Sequence, residues 1–450
     1  MTPARPDRGE LGLAELLAPS PSIGVPIPAY SGRSLPNVVA SVVRAVGGAE
    51  GGDPPLAPPL AVDRDPFAGR RAEGPVLVLL ADGLGWSAFD RWRRAGGRPW
   101  AARWGRRARP ITTVFPTTTV PAMVTLSTGT TPAQHGVVGY REYLPRFGVV
   151  ADLLRMSPVG VAPAETLVGS EWSPSLVSGA PTVFRRGMSG TAVSRGRFEG
   201  LGLTRLLYDG AAFRPYSTAS DLAHELVKLL DAPDPSPVVY AYWDELDAVH
   251  HRHGPTDALF SFEADRLAHL VEYVADHLDR RRAASVQLIV TADHGLVDLD
   301  PARQLRVDRI PEIADEMARP LAGDRRAPYF AAHAGRLPEL RAALERHLPV
   351  GTRLIDSDAA IAAGLYGPPP FHPELRARIG DLVALPPPPT GLLYAMPGSA
   401  ISGHVEYLGG HGGLSSDELL VPLVAGRLDE FGARTEPAAP RGATVKKDSR

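Results

Sequence analysis

The sequence predicts an α/β protein in which helices cover both faces of a central, mostly parallel sheet. Three short runs, at 76–80, 238–242 and 286–291, are almost continuously apolar, as expected for strands buried on both faces. Segments with helical periodicity alternate with these runs along the chain. Strands that alternate with helices are typical of layered α/β domains built around a parallel sheet.

The predicted helices follow from the spacing of apolar residues. Four stretches have helical periodicity, and they are 38–46, 219–230, 258–280 and 337–348. Proline and glycine mark the segments between elements and indicate a surface loop at 47–66. A further apolar run lies near the end of the chain, at 419–424.

Composition excludes several kinds of chemistry. The chain has 450 residues and no Cys, so thiolate metal sites, disulfides and cysteine nucleophiles are impossible. Lysine is rare, and no Gly-Lys pair exists from which a Walker phosphate loop could be built. The formal net charge of −2 gives no indication of nucleic acid or of a membrane as partner. Residues 1–21 contain no apolar run of signal-peptide length, and we expect a cytoplasmic protein.

Acidic side chains stand directly after each of the three predicted strands. Asp82 follows the first run, Asp244 and Asp247 follow the second, and Asp293 with His294 follows the third. Open α/β sheets bind ligands at the carboxyl ends of their parallel strands. The sequence therefore predicts one polar site at this edge of the sheet. Each acidic residue taken alone could equally cap a helix or a turn.

Histidines add to this predicted site. Asp247 and His251 are four residues apart, so a helical turn can bring both side chains to one ion. His411 stands in a glycine-rich turn before the apolar run at 419–424. Three Asp and three His are a suitable ligand set for two divalent ions about 4 Å apart. The alternative for the histidine-rich segment is a polar surface loop.

Threonine hydroxyls crowd the segment 112–121, between an apolar strand and an apparent helix that runs from Ala122 toward Thr130. A hydroxyl at a helix N-terminus lies where backbone N–H groups and the helix dipole stabilise phosphate. A metal-bound Thr also loses its proton more easily and becomes a usable nucleophile. Threonine is common in strands and helix caps as well, so the run by itself leaves its role open.

The order of these motifs resembles one known family. Asp82 is followed by Phe-Pro-Thr-x-Thr-Val-Pro at 115–121 and Thr-Pro-x-x-His-Gly at 131–136, and then by Asp-x-x-x-His, Asp-His-Gly and His-Gly-Gly. This succession is similar to the nucleotide pyrophosphatase/phosphodiesterase branch of the alkaline phosphatase superfamily, whose relatives include phosphonoacetate hydrolases. The resemblance spans about residues 75–425. It implies an alkaline-phosphatase-like layered α/β/α core with inserted cap segments.

The resemblance further implies a metal-dependent phosphoester hydrolase, most closely a phosphodiesterase or nucleotide pyrophosphatase with a threonyl-phosphate intermediate. Thr119 would be the nucleophile, and the substrate of the enzyme would be a small phosphoester molecule. One metal would be held by Asp82, Asp293, His294 and the Thr119 oxygen, and the other by Asp247, His251 and His411. Zinc is the expected metal, with manganese or calcium as alternatives. His250 and His253 are assigned to the surface or to the surroundings of the ligands.

Two positions depart from the family pattern. Val120-Pro121-Ala122-Met123 stands where the family has Phe-Pro-Asn-His, and Tyr140 stands where the phosphodiesterases have a phosphate-binding Asn. Tyr140 and the following Arg141 could each donate hydrogen bonds to phosphate. Arg141 would also suit a dianionic substrate, so a phosphomonoesterase or phosphonate hydrolase with the same metals is the alternative. A catalytically silent metal-binding scaffold is the alternative from another class.

The domain organisation follows from the extent of the resemblance. We expect residues 1–70 to form an N-terminal extension that packs on the core, and residues 71–430 to form the catalytic domain. Insertions that build a cap above the site are expected at about 149–235 and 298–402. The Pro-rich and charged end of the chain, 433–450, is expected to be disordered. The sequence does not indicate an oligomeric state.

Overall fold

The computed structural model describes residues 8–161, 163–169, 171–395 and 407–433. Its central sheet has seven strands, and all neighbours run parallel except for the eighteenth strand, which is antiparallel to both of its neighbours. Numbered along the chain and given in spatial order, they are β2 (Ala108–Thr112), β18 (Leu420–Arg427), β9 (Gln287–Thr291), β1 (Val76–Ala81), β8 (Val238–Trp243), β6 (Gly190–Arg195) and β7 (Ala212–Tyr216). The prediction of a mostly parallel central sheet is confirmed.

The three apolar runs of the sequence form the middle of this sheet. β1 lies between β9 and β8 and pairs with both along most of its length. Every residue of β1 and β8 is buried, because helices cover both faces of a parallel sheet. The carboxyl ends of the three strands therefore meet at one edge of the sheet, where the site lies.

Helices pack on the central sheet and on a second sheet, which is described below. Those of the first half of the chain are α1 (Arg8–Leu16), α2 (Leu35–Val46), α3 (Trp86–Arg94), α4 (Pro99–Arg107), α5 (Thr119–Thr128), α6 (Pro132–His135), α7 (Gly202–Leu207) and α8 (Ala219–Leu230). Those of the second half are α9 (Glu245–His253), α10 (Asp257–His277), α11 (Arg280–Ser285), α12 (Pro311–Ala314), α13 (Leu337–His347), α14 (Ser357–Ala362), α15 (Leu375–Ile379) and α16 (Ser416–Leu419). The four helices predicted from periodicity correspond to α2, α8, α10 and α13.

A second seven-stranded sheet is antiparallel throughout. In spatial order its strands are β14 (Arg353–Asp356), β15 (Leu382–Leu385), β13 (Ala327–Phe330), β12 (Ala322–Asp324), β3 (Arg141–Leu144), β4 (Val149–Asp152) and β5 (Ser157–Pro158). Two short pairs complete the strands, β10 (Val297–Asp298) with β17 (Gly409–Gly410) and β11 (Gln304–Arg306) with β16 (Gly391–Leu393). The hairpin of β12 and β13 reaches the site, as described below.

The boundaries of the predicted insertions differ from the observed layers. Strands β6 and β7 and helix α8 lie inside the segment predicted as an insertion at about 149–235, yet both strands belong to the central sheet. Strand β6 contains glycine and polar residues and β7 is largely exposed, so neither produces a continuous apolar run. The second sheet begins at β3, before that predicted insertion starts. All but residue 433 of the tail predicted at 433–450 lies outside the described residues.

The N-terminal segment is well packed where it is described. Helix α2 buries ten of its twelve residues, and it lies against α5. Asn37, in the first turn of α2, donates hydrogen bonds from its amide to the carbonyl oxygens of Tyr30 and Pro58 at 2.7 and 2.8 Å. Among the described residues, no helix has both the length and the hydropathy that a membrane-spanning segment requires.

Candidate active site

The first group of candidate ligands lies at the ends of two neighbouring parallel strands. Asp82 follows β1, and Asp293 and His294 follow β9. Gly83 has a positive φ of 77°, and its N–H donates to Asp293 Oδ1 at 3.1 Å. Turning the chain in this way after β1 requires a left-handed conformation, which favours glycine. The turn thus brings the Asp82 and Asp293 carboxylates together.

These three side chains converge on a small space. His294 Nε2 lies 3.4 Å from Asp82 Oδ1 and 3.5 Å from Asp293 Oδ2. The remaining oxygen of Asp82 accepts a hydrogen bond from the Tyr242 hydroxyl on β8. His294 Nδ1 donates to the Gly295 carbonyl at 3.2 Å, which leaves the lone pair of Nε2 facing the two carboxylates.

The second group combines a helix with a glycine-rich turn. Asp247 and His251 lie one turn apart on α9, with Asp247 Oδ1 3.3 Å from His251 Nε2. His411 Nε2 lies 3.2 Å from His251 Nε2 and 3.9 Å from Asp247 Oδ1. The Nδ1 of each ring donates to a backbone carbonyl. His251 Nδ1 donates to the Gly409 carbonyl at 2.8 Å, and His411 Nδ1 donates to the Thr117 carbonyl at 3.2 Å. Both histidines therefore present Nε2 to the site as an acceptor.

The two groups adjoin each other. The rings of His294 and His411 stack with their centroids 3.7 Å apart. Asp247, His294 and His411 form one set of potential ligands whose atoms lie within 4.8 Å of one another, and Asp82, Asp293 and His294 form another. The structure thus brings all six predicted Asp and His ligands into one cluster.

The ligand atoms fit divalent cations. Three carboxylate oxygens, Asp82 Oδ1, Asp247 Oδ1 and Asp293 Oδ2, are buried without any hydrogen-bond partner among the described residues. Leaving a buried carboxylate oxygen unpaired is costly, so such oxygens normally bind a cation. Carboxylates beside neutral imidazoles are ligands that borderline and hard divalent ions accept. The donor set therefore suits two such ions.

The pKa shifts of the clustered side chains also favour the binding of cations. Burial, together with the nearby Asp293, raises the pKa of Asp82 well above its usual range. Burial and the charge of Asp82 raise the pKa of Asp247 to about 7, and burial raises the pKa of Asp293 to about 7 as well. Burial lowers the pKa of His294 to about 3 and that of His411 well below its usual value. Carboxylates that repel one another and imidazoles that stay neutral favour cation binding.

Thr119 lies next to the first group. It is the first residue of α5, and its Oγ1 lies 3.1 Å from His294 Nε2. The sequence predicted this helix only from Ala122, after Pro121. The helix begins earlier because a proline in the first turn removes only an N–H that has no helical partner. The predicted nucleophile thus stands at a helix N-terminus, beside the Asp82, Asp293 and His294 cluster.

A charged hairpin tip is part of the site and was missed in the sequence. Asp324 ends β12, pairs with Ala327 across the hairpin, and is buried. Its Oδ2 accepts from Thr118 Oγ1 at 2.8 Å and lies 3.8 Å from His411 Nδ1. Burial raises the pKa of Asp324 to about 6. The only signal in the sequence is Gly-Asp-Arg-Arg between two short apolar segments, which by itself indicates nothing more than a turn.

The two predicted phosphate-binding residues lie at the start of β3 in the second sheet. Both are half-buried. Arg141 pairs with Gly323 of β12 in the sheet register, and its guanidinium lies 5.5 Å from the Tyr140 ring. Arg141 Nη1 donates to the Tyr394 carbonyl at 3.3 Å, while its Nε is buried without a hydrogen-bond partner. Among the described residues, neither side chain is hydrogen bonded to the ligand cluster.

The other two histidines of α9 have different surroundings. His250 is buried and stacks on Phe260, with ring centroids 6.0 Å apart. His253 is exposed at the end of the helix. Because residues 250 and 251 point to different sides of α9, only His251 reaches the cluster.

Comparisons with known proteins identify the family of the chain. The sequence profile of the type I phosphodiesterase / nucleotide pyrophosphatase family matches residues 76–412. Murine ectonucleotide pyrophosphatase / phosphodiesterase 5 has a similar fold, with a TM-score of 0.59 and 19% identity over 78% of this chain and 87% of that chain. The human protein of the same name also has a similar fold, with a TM-score of 0.59 and 17% identity over 80% of this chain and 88% of that chain. The chain belongs to the type I phosphodiesterase / nucleotide pyrophosphatase family of the alkaline phosphatase superfamily and is a phosphoric ester hydrolase.

Proposed function

We propose that this chain hydrolyses phosphodiester or pyrophosphate bonds of small molecules through a threonyl-phosphate intermediate on Thr119. The observation that carries the proposal is the position of Thr119 Oγ1, 3.1 Å from His294 Nε2 at the N-terminus of α5. A similar structure, murine ectonucleotide pyrophosphatase / phosphodiesterase 5 in an inactive variant, is described in complex with AMP. A nucleotide is accordingly the first substrate class to test.

The metal ligands divide into two sets in this proposal. Asp82, Asp293, His294 and the Thr119 oxygen would hold one divalent ion, and Asp247, His251 and His411 the other. Such ions, when bound, lower the pKa of a nearby hydroxyl or water and neutralise the charge that develops on phosphoryl oxygens. Zinc fits this mixture of imidazole and carboxylate, and manganese or calcium are the alternatives.

The reaction has two displacements at phosphorus. In the first, the Thr119 hydroxyl loses its proton to solvent and its oxygen forms a bond to phosphorus, as the bond to the leaving-group oxygen breaks on the opposite side. In the second, a water oxygen forms a bond to phosphorus as the bond between Thr119 Oγ and phosphorus breaks; one proton of that water returns to Thr119, and the phosphate monoester is released. The backbone N–H groups at the start of α5 would donate to the phosphoryl oxygens and stabilise their negative charge.

The nucleophile is tested by substitution. Thr119→Ala should lower the hydrolysis of bis(p-nitrophenyl) phosphate by about 10⁴-fold or more, since removal of a nucleophile abolishes the covalent route. Thr119→Ser, which keeps a hydroxyl, should retain measurable turnover. Rates in Thr119→Ala equal to those of the unaltered enzyme would disprove the assignment. An aryl monophosphate assayed beside the diester distinguishes a phosphodiesterase from a phosphomonoesterase.

The two-metal site is tested by metal analysis. The protein should bind two divalent ions per chain, as measured by mass spectrometry after metal loading and gel filtration. Asp82→Asn should remove one ion and Asp247→Asn the other, because each carboxylate belongs to a different set. Thr119→Ala should retain nearly two divalent ions per chain. A single ion in the unaltered protein, or loss of both from either Asn variant, would contradict two separate sets.

A further inference from the structure

The hairpin of β12 and β13 holds an arginine beside the candidate metal ligands. Arg325 lies at its tip, between two residues that are both fixed. Asp324 bonds to Thr118, and Arg326 forms a bidentate pair with Glu418, with Nε–Oε1 and Nη2–Oε2 distances of 3.0 Å each. Because both neighbours are anchored, the backbone of Arg325 has little freedom to move.

The side chain of Arg325 reaches toward the second ligand set. Its guanidinium carbon lies 4.7 Å from the centre of the Tyr407 ring, and that ring lies 4.7 Å from the ring of His251. An arginine over an aromatic face is held in place by a cation–π interaction. Arg325 is half-buried, so its charge is partly removed from water.

The acidic neighbour of Arg325 is Asp324, whose pKa burial raises and the charge of Arg325 lowers, but whose carboxylate is bound to Thr118. Within the described ranges, no carboxylate lies at ion-pair distance from the Arg325 guanidinium, whereas the adjacent Arg326 is paired with Glu418 at 3.0 Å. A partly buried guanidinium without an ion-pair partner is expected at a place where an anion binds. The anion would lie next to His251 and Tyr407.

A cavity of about 710 Å³ opens at this place, large enough for a nucleotide-sized group. Its lining includes His251 and Tyr407, and it carries both basic and acidic side chains, namely Arg195, Arg197, Arg252, Asp244, Glu245 and Glu263. Arg195 and Arg197 already pair with Asp244, Arg195 at 2.9 Å and Arg197 at 2.5 Å. The exposed Arg252 lines the cavity without such a partner among the described residues, and Arg325 adjoins the cavity through the Tyr407 ring, over which its guanidinium lies.

The position of the nucleophile decides which part of the substrate enters the cavity. Thr119 lies beside His294, in the first ligand set, whereas the cavity adjoins His251, in the second. In an in-line displacement the leaving group departs opposite the nucleophile. The cavity beside His251 and Tyr407 therefore accepts the leaving group rather than the phosphoryl group that is transferred to Thr119.

We infer that Arg325 binds an anionic leaving group, a phosphate joined directly to the attacked phosphorus, and so selects pyrophosphate bonds over phosphodiesters with uncharged leaving groups. This inference rests on the proposed function. A guanidinium matches phosphate oxygens with two parallel hydrogen bonds, and an uncharged leaving group offers it no such partner. Arg325 is thus a specificity-determining residue.

Two substrates with the same transferred group test the inference. Thymidine 5′-triphosphate carries pyrophosphate as the leaving group, and the p-nitrophenyl ester of thymidine 5′-monophosphate carries an aryl group. Arg325→Gln should lower kcat/KM for the triphosphate by about 10- to 100-fold, as measured by release of thymidine 5′-monophosphate. The loss for the aryl ester should be several-fold smaller. Arg325→Lys keeps the charge but not the two parallel donors of the guanidinium. Its kcat/KM for the triphosphate should lie between the values of the unaltered enzyme and of Arg325→Gln.

Two controls separate specificity from folding. Arg353→Gln, on the exposed edge strand β14 of the same sheet, should change neither rate. Inorganic pyrophosphate should inhibit the unaltered enzyme about 10-fold more strongly than Arg325→Gln. Hydrolysis of the aryl ester by the same preparation reports that the variant is folded, and Arg325→Lys repeats the comparison if the glutamine variant is unstable.

The outcomes are distinguishable. Equal losses on both substrates, or no loss on either, would overturn the role of Arg325 while leaving the proposed function standing. Hydrolysis of neither substrate by the metal-loaded, unaltered enzyme would overturn the proposed function and the inference with it. A selective loss on the triphosphate, together with weaker inhibition by pyrophosphate, would establish the inference.

Discussion

Asp324 connects the segment of the predicted nucleophile to a candidate metal ligand. Its Oδ2 accepts from Thr118 Oγ1 at 2.8 Å and lies 3.8 Å from His411 Nδ1. Thr118 directly precedes Thr119, so one carboxylate fixes the backbone at the nucleophile and faces the ring of a ligand. Residues that hold ligands in place from behind commonly change metal affinity or activity by about 10- to 100-fold when they are replaced.

Asp324→Asn should therefore lower kcat by about 10-fold or more with little change in KM, because substrate contacts are retained while the negative charge beside His411 is lost. The amide oxygen can still accept from Thr118, so the fold should persist. Metal affinity, measured by competition with a chelator, should fall in parallel. Asp356→Asn, at the exposed end of β14, is the matched control, and equal behaviour of the two variants would refute the role of Asp324.

At the scale of elements, the β12–β13 hairpin anchors the turn that carries His411. Arg326 of the hairpin and Glu418 of α16 are both buried and form a bidentate pair. Glu418 also accepts from Gly413 N–H at 2.9 Å and from Ser415 Oγ at 2.7 Å. Burial alone would raise the pKa of Glu418, but the charge and hydrogen bonds of Arg326 hold it below its usual value. The pair thus joins the second sheet to the His411 turn.

Breaking this pair on one side should be more harmful than removing it. Arg326→Met should lower the free energy of unfolding by about 3–5 kcal/mol, because it leaves the buried Glu418 charge uncompensated. The double variant Arg326→Met/Glu418→Gln should lose less than the sum of the single variants. Urea denaturation of the four proteins measures this coupling. Strictly additive losses would show that the two side chains do not act as a pair.

The helices show how far periodicity reaches. The predicted stretch 219–230 agrees with α8 at both ends, and 337–348 agrees with α13 to within one residue. These helices have a polar face toward water and an apolar face toward the core, which is the pattern that periodicity detects. Helix α5 is buried almost throughout, so its spacing carried no such information and its start at Thr119 was predicted three residues late.

At the scale of the whole molecule, the cluster of acids opposes folding when no metal is bound. Burial and nearby carboxylates raise the pKa of Asp247 to about 7, and burial raises the pKa of Asp293 to about 7. In the unfolded chain the pKa of an Asp side chain is about 3.9. The folded state therefore binds more protons than the unfolded state between these values, so that this contribution to stability falls as pH rises from about 4 to 7. Divalent cations offset the repulsion.

Asp247→Asn separates this effect from the rest of the molecule. In metal-free protein at pH 8 the variant should be more stable than the unaltered chain, by up to about 4 kcal/mol, because a buried charge is removed. Near pH 4 the difference should nearly vanish, since Asp247 is then protonated in the folded state and about half protonated in the unfolded state. With metal present the order should reverse, because the variant lacks a ligand. Calorimetry at both pH values measures these differences, and an unchanged Tm difference between pH 4 and pH 8 would contradict the account.

The sequence by itself determined the central layer and the candidate ligands. Strands buried on both faces appear as continuous apolar runs, and acidic residues follow each of β1, β8 and β9. Since the carboxyl ends of neighbouring parallel strands meet at one edge, these residues had to lie close together. The spacing of Asp247 and His251 likewise follows from one helical turn. Local patterns of this kind do not depend on contacts with distant parts of the chain.

Only the tertiary structure decided the second sheet and what it brings to the site. Its strands come from residues 141–158 and 322–385, so their pairing depends on contacts between segments far apart in the chain. Asp324, Arg325 and Arg326 occupy one short turn in the sequence, yet one meets Thr118, the next Tyr407 and the third Glu418. No periodicity encodes such contacts, because each is made with a residue about 80 positions or more away.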